Sequence, residues 1–484
     1  MKKIAMALLL ALVLVPASMG RDAPFRGGVL LCKPTSSSIQ LNLWPTAPVH
    51  LRLSVASGRG PLIVEEASYP ANRPANLYAG DLQAATHYFY AVFYEDAEGW
   101  HLLAQNDFWT ARDKGDEFTF TVTTDEHLYN YLHPLDKDAL DLYQVAIGNI
   151  VADDPDLHFS LGDFAMTEPY HSLPYITSFE EGVERYMLQR DFIWPITQEC
   201  PFFLVLGNHE GEQGWYGMGP DSILTWSLRA RRAAIPPPFP GPFYSGSEEV
   251  HPLIGLKGNY WAFEWGDALF VAIDPYANTM VKPHYFPLGD PTPFSLDGWD
   301  WSLGKDQYDW LFETVTESNA RWKFVMCHHL TSTTTTGIYP YYGRGGAEVA
   351  DWALSGRPTF EWGGEEADGS NGYPAHRPGW DHGPVHAFLA AAGVTAVLHG
   401  HDHFFGYQEL DGVSYIEGPK PCDPNYALPG NIKTGGGYEF GDFLPCSGHL
   451  RFRVGPAECR MDYVRAWLPG EGVNGEVSYE KIWN

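Results

Sequence analysis

Phe202-Phe203-Leu204-Val205-Leu206 runs directly into Gly207-Asn208-His209-Glu210. Five apolar residues closed by a glycine have the length of a buried strand rather than a helix, and the strand ends in an amide, an imidazole and a carboxylate. The pattern recurs four times. Phe118 to Val122 leads to Asp125-Glu126-His127, and Leu157 to Leu161 leads to Gly162-Asp163. Trp322 to Cys327 leads to His328-His329, and Val394 to Leu398 leads to His399-Gly400-His401-Asp402-His403. Helical patterns lie between these strands, among them Ala139 to Val151, Asp306 to Val315 and Pro384 to Ala392, the last stopped by Gly393. Strands alternating with helices predict α/β layering. Polar residues gathered at the carboxyl ends of the strands mark the edge where such sheets build their sites.

Outside this region the chain changes character. From about residue 27 to residue 112 it shows short alternating runs separated by turn residues, such as Ile39 to Leu43, His50 to Val55 and His87 to Tyr94, which predict a small all-β sandwich. Ala111 to Glu117 reads as a linker, 116–467 as the main domain and 468–484 as a C-terminal tail. A chain of 484 residues is too long for one ordinary core, so two folded units are expected. At the start, Lys2 and Lys3 precede the apolar run Ala5 to Val15 and the small residues Ala17, Ser18 and Gly20. This is the composition of a cleaved signal peptide over 1–20, and the run is shorter than the roughly 20 residues a membrane span needs. Secretion or export to the periplasm is the expectation, with no transmembrane anchor.

Sixty acidic residues against 31 basic ones give a formal charge of -29, and removing Lys2 and Lys3 makes the remainder two units more negative. That balance argues against extended nucleic-acid binding. It is compatible with a small phosphoester, because bound cations invert the local field. The six cysteines match no zinc-knuckle spacing. In an oxidising compartment Cys422 and Cys446, which flank a glycine-rich loop, are the expected disulfide, and Cys327 reads as a small core residue.

Each polar block alone has a plain explanation, since Gly-Asp pairs are common in a chain with 50 glycines and Asn208 could cap a helix. Five blocks at five strand ends favour a joint role. Carboxylate, amide and imidazole donors without thiolates suit divalent or trivalent Fe, Mn, Zn or Co. Two ions about 3.5–4 Å apart share a carboxylate, the usual arrangement for displacement at phosphorus, and Asp163 stands alone between the other ligand groups as the natural bridge.

The order DxH, GD, GNHE, HH and GHDH, from about Phe118 to Val464, resembles the calcineurin-like metallophosphoesterase superfamily. The resemblance implies a four-layer α/β (α+β) metallophosphatase sandwich. It implies that Asp125, His127, Asp163 and His403 hold one ion and that Asp163, Asn208, His328 and His401 hold the other. His209 corresponds to the histidine that contacts the phosphate and protonates the leaving oxygen, with Asn208 beside it. Within the HH pair His328 is taken as the ligand, with His329 the competing choice and a candidate on the substrate side. A fibronectin III-like sandwich ahead of this domain is similar to the layout of purple acid phosphatases. Those enzymes place a tyrosine three residues after the bridging aspartate, where this chain has Met166, and they lack a counterpart of His127, so no iron-tyrosinate colour is expected.

Together these features point to an exported dinuclear-metal hydrolase of phosphorylated small molecules. A phosphomonoesterase using a metal-bridging hydroxide is expected first. A phosphodiesterase or nucleotidase on the same metal core is the alternative, and a non-catalytic metal-binding protein is disfavoured because none of the expected ligand positions is lost. Trp215, Tyr216, Tyr341, Tyr342 and Arg344 are candidates for the substrate wall, an arginine fork suiting phosphate. Asp402 and Glu210 are the candidates for holding His209, the alternative being that either is a solvated loop acid.

Overall fold

The computed structural model describes residues 24–58, 62–128, 137–167, 175–281, 295, 298–330, 346–347, 364–366, 368–428, 438 and 440–484. The expected signal peptide, Tyr341, Tyr342 and Arg344 lie outside them. No helix among the described residues is long and apolar enough to cross a membrane.

Seven strands form the first unit: β1 (Phe25–Cys32), β2 (Ile39–Pro45), β3 (Val49–Ala56), β4 (Ile63–Tyr69), β5 (Ala75–Ala79), β6 (His87–Asp96) and β7 (Gly99–Trp109). They build a three-stranded sheet, β1-β2-β5, and a four-stranded sheet, β4-β3-β6-β7. Along β3, Val49, Leu51, Leu53 and Val55 are buried while the residues between them are partly exposed, the period of two that a half-buried strand requires.

This sandwich packs against the second unit of the chain. Leu30, Cys32 and Trp44 join one apolar cluster with Tyr186, Met187 and Ile193 of helix α2 (Phe179–Thr197). From the same helix Arg190, fully buried, donates to the carbonyls of Gly28 and Asn42 at 3.0 Å, to that of Ala234 at 3.0 Å, and to the side-chain oxygen of Asn42. Burial with only neutral acceptors pushes its guanidinium down to about 10. Gly28 has φ +59°, and a Cβ there would meet Trp194 Cβ at 2.5 Å, so the approach of β1 to α2 needs glycine.

The second unit begins with β8 (Phe118–Thr123), α1 (Lys137–Ala152), β9 (Leu157–Ser160), α2, β10 (Phe202–Leu204) and α3 (Ile223–Ala234). Helix α2 starts where Ser178 accepts a hydrogen bond from the Glu181 amide and Glu180 and Glu181 load the first turn with negative charge. After it come β11 (Ser245–Gly246), the small hairpin β12 (Val250–His251) and β13 (Gly255–Leu256), β14 (Trp261–Trp265), β15 (Ala268–Ala272), α4 (Lys305–Glu317) and β16 (Trp322–Met326). The remainder is α5 (Tyr373–His376), α6 (Val385–Ala391), β17 (Ala396–His399), β18 (Phe405–Leu410), β19 (Val413–Glu417), β20 (Asp442–Leu444), β21 (Gly448–Val454), β22 (Cys459–Arg465) and β23 (Val477–Trp483).

Two sheets result, one ordered β10-β9-β8-β21-β22-β23 and the other β11-β14-β15-β16-β17-β19-β18-β20. They pack face to face through aromatic rings: Phe120, stacked at 4.4 Å on its cross-strand neighbour Phe452 within the first sheet, meets Phe270 and Phe324 of the second edge-on. In β16, Phe324 and Met326 point into this middle layer, while Val325 joins an outer cluster with Tyr308, Leu311 and Val315 of α4. Helices α1, α2 and α3 cover the other sheet in the same way. The order helix, sheet, sheet, helix gives the four layers.

The stretch 468–484 is not a tail. Val477 to Trp483 forms β23, paired antiparallel with β22 from Cys459↔Trp483 to Val464↔Val477. Tyr479 and Trp483 alternate onto the middle layer, with Trp483 stacked on Phe452.

Candidate metal centre

Strands β8, β9 and β10 are parallel neighbours in one sheet, and β16 and β17 are parallel neighbours in the other. Their five carboxyl-end loops therefore meet across the gap between two sheets, not along one sheet. Backbone bonds join the loops: Asp125 N donates to Gly162 O at 3.0 Å, and Gly400 N donates to His328 O at 2.9 Å. Six of the twelve described non-glycine residues with positive φ sit here, namely Asp125, His127, Asp163, Met166, His401 and His403. Such backbone costs about 1–3 kcal/mol per residue and persists where surroundings over-determine it, so the concentration marks a functional edge. Gly400 is required for a different reason, since a Cβ there would lie 1.9 Å from Thr124 Oγ1.

The carboxylate of Asp125 is turned by its own neighbours. Its Oδ2 accepts from His401 N and Thr124 Oγ1, both at 2.7 Å, which leaves Oδ1 facing His403 Nε2 at 3.2 Å and His127 Nε2 at 3.3 Å. Asp163 is anchored likewise. Its Oδ1 accepts from His209 N at 2.8 Å, and its Oδ2 faces His328 Nε2 at 3.1 Å, His127 Nε2 at 3.4 Å and His209 Nε2 at 3.8 Å. Asn208 Oδ1 lies 2.9 Å from His401 Nδ1 and 3.1 Å from His328 Nε2.

Cations fit this arrangement. His328 Nδ1 can only donate to Leu161 O, at 2.9 Å, so in the neutral ring Nε2 presents a lone pair to two oxygens, Asp163 Oδ2 and Asn208 Oδ1. His127 Nδ1 faces the thioether of Met166 at 3.0 Å, which turns its Nε2 toward His403 Nε2, 3.1 Å away. Lone pairs converging on lone pairs in a buried pocket call for positive charge. Ligand atoms of Asp125, His127 and His403 lie within 4.8 Å of one another, as do those of Asp163, His328 and His401, and those of His127, Asp163 and His209. The two carboxylates draw positive charge of either kind: burial would lower His328, but Asp163 and Asp125 outweigh it and hold the imidazole up at about 10, so a cation binding here displaces its proton. Burial likewise works against ionised Asp125 and Asp163, yet the surrounding imidazoles keep both well below the usual carboxylate range. His127, His401 and His403 are pushed down, by burial first, and are ready as neutral ligands.

The carboxylates of Glu210 and Asp402 tie the ligand loops to their surroundings. The carboxylate of Glu210 accepts from the amides of Asp163, Phe164, Ala165 and Gly207, fastening the GD loop to the GNHE loop. Asp402 accepts from Tyr438 OH, and its amide donates to Glu417 Oε1, while Glu417 Oε2 lies 2.7 Å from His399 Nδ1. The predicted disulfide is absent. Cys422 Sγ donates to Glu126 O and Cys446 Sγ to His403 O, each at 3.0 Å, so both thiols are taken up by carbonyls of the ligand loops. Burial raises Cys422 to about 12 and puts Cys446 well above its ordinary value, away from the thiolate that exchange requires.

His329 is buried and stacks on His401 at 4.0 Å. Trp215 and Tyr216 lie half-buried on a short 3-10 turn, Gly214–Tyr216, with Tyr216 edge-on to Tyr175. Sequence reasoning passed over Thr124, Glu417 and Lys420, which lie outside the five blocks or beside them. A buried acid or lysine directly after an apolar strand, as in Val413 to Lys420, was the available signal.

Residues 118–405 match the family model of the calcineurin-like phosphoesterases. The fold is similar to that of a solved structure of PhoD, with a TM-score of 0.65 at 16% identity over 96% of this chain and 91% of that one. It is also similar to the purple acid phosphatase PPD1 from seeds of yellow lupin (Lupinus luteus), with a TM-score of 0.54 at 12% identity over 94% of this chain and 73% of that one. No curated protein matches the chain in sequence.

Proposed function

The chain belongs to the calcineurin-like phosphoesterase family, and from that premise we propose that it is an exported phosphomonoesterase acting on small phosphorylated molecules. The observation that carries the reading is Asp163, whose Oδ2 faces His328 on one side and His127 on the other. In this proposal Asp125, His127, Asp163 and His403 hold one ion, and Asp163, Asn208, His328 and His401 hold the second. Two bound cations supply Lewis-acid neutralisation of the phosphoryl oxygens and acidify water to a pKa of about 7.

The remaining work falls to the chain. Asp125 and Asp163 each present one oxygen inward because backbone amides fix the other. Asn208 directs its Oδ1 to His328 and His401 and so turns its amide N–H groups toward the phosphoryl group. His209, at the rim with 9% exposure, donates a proton to the leaving oxygen from Nε2. Tyr216 and His329 line the approach.

Rates on an aryl phosphomonoester and its bis-aryl diester, each with Mn, Fe, Zn and Co, test the proposal. A faster monoester supports it, a faster diester replaces it with a phosphodiesterase, and inactivity on both with every metal overturns hydrolysis. Export rests on Lys2, Lys3 and the run Ala5 to Val15. N-terminal sequencing of the protein recovered outside the cytoplasm checks it, and an intact Met1 would refute cleavage.

A further inference from the structure

A cavity of about 780 Å³ opens beside the edge strand β11, within the range of about 300–1,000 Å³ that small-molecule sites occupy. It is lined by Ser245 and Glu248, by Tyr260 just ahead of β14, by Asn278 beyond β15, and by Asp306 and Trp310 of α4. None of the residues assigned to the metal centre lines it, and β14 lies two strand spacings, roughly 10 Å, from β16, whose end carries His328. Trp310 and Tyr260 meet at 4.8 Å with their planes inclined by 49°, and Trp310 Nε1 donates to Ser245 Oγ at 3.2 Å. The two rings make an apolar corner whose setting is fixed by that bond.

Around that corner lie both acceptors and donors. Lys257 pairs with Glu249 and Lys305 with Asp309, each at 2.6 Å, while Glu248 and Asp306 are exposed and have no ion-pair partner among the described residues. Asn278 Nδ2 donates to Leu303 O at 2.9 Å, which leaves its Oδ1 as a further acceptor. Against these stands the first turn of α4. Gly304 supplies no capping side chain, and the amides of Lys305, Asp306 and Gln307 have no hydrogen-bond partner among the described residues. An anion would be repelled by Glu248 and Asp306, and a cation by the positive end of α4. A neutral hydroxyl satisfies both, donating to a carboxylate and accepting from an amide, and the C–H face of a sugar ring buries apolar surface on the indole. We propose that this cavity binds a neutral glycan, of the size of a disaccharide, at a site separate from the metal centre and independent of the reaction performed there.

Calorimetric titration of the metal-loaded protein with maltose, cellobiose and lactose tests it, with a glucosamine disaccharide as the cationic control and digalacturonate as the anionic one. At least one neutral disaccharide should bind with a Kd below about 10 mM, more tightly than either charged sugar. Trp310→Ala should weaken that binding by about tenfold, the upper worth of one aromatic contact. Glu248→Gln should weaken it by about fivefold, the difference between a charge-assisted and a neutral hydrogen bond. Metal content should stay as in the wild type in both variants. If Trp310→Ala does not fold, Asp306→Asn, on an exposed side chain, takes its place with the fivefold expectation. Failure of every neutral sugar to bind, tighter binding of a charged one, or affinity unchanged in the variants would overturn the proposal.

Discussion

Oδ2 of Asp163 lies 3.1 Å from Nε2 of His328, the ring whose Nδ1 is pinned to a carbonyl of the strand end that carries Asp163 itself. The same oxygen faces His127, so one carboxylate serves both halves of the centre. Elemental analysis should find about two ions per chain after reconstitution. Asp163→Asn should deplete both, and Asp125→Asn chiefly one. Stoichiometry that stays at one under metal excess refutes the dinuclear assignment.

His209 reaches the same pocket but sits at its rim, and its Nε2 also comes within ligand range of His127 and Asp163. As a general acid it should leave metal content unchanged in His209→Ala while kcat falls by roughly 10²–10⁴. The fall should be smaller for an ester with a good leaving group. Metal loss, or equal falls on good and poor leaving groups, would make His209 a ligand or a purely electrostatic contact.

Met166 occupies the place of a potential phenolate and instead offers its sulfur to His127. Iron-loaded protein should show no strong visible charge-transfer band. A band abolished by mutating a single tyrosine would contradict this.

Asp274, buried beyond the end of β15, gives a pH signature away from the ligands. Burial raises its pKa to about 6, against hydrogen bonds from Asn259 and the Tyr276 amide that favour the charged form. The folded state therefore holds this proton between about pH 4 and 6 where the unfolded acid has released it, and stability falls as pH rises through that window. Asp274→Asn removes the titration, and Asn259, whose Oδ1 has no partner among the described residues, can turn to accept from the introduced amide. Between pH 4 and 7 the variant should gain on wild type by up to about 3 kcal/mol, read from melts across the range. A constant difference would show that Asp274 keeps its ordinary pKa.

The five strands that carry the site were legible because each is a short apolar run with a polar terminus, and β8, β9, β10, β16 and β17 fall on or within two residues of the stretches read from sequence. Helix α2 was not legible, because its buried face includes Arg185, Gln189 and Arg190, which interrupt any apolar stripe. The final strand β23 was missed behind the polar turn at 468–476. Sequence pattern also could not tell one sheet from two, since strand-end chemistry looks the same whichever sheet receives it. The loop-fastening role of Glu210, and Glu417 altogether, were hidden for a related reason, because a carboxylate bound to distant amides has no local signature.

Arg190 couples the two units in time as well as in space. The carbonyls of Gly28 and Asn42 are made early in synthesis, and the guanidinium that satisfies them emerges only after another 148 residues beyond Asn42. During that interval Leu30, Cys32 and Trp44 have no helix to cover them. The sandwich is thus completed from behind by the domain it precedes, and a ribosome that stalls before α2 leaves a fragment with an apolar flank for chaperones and proteases to find.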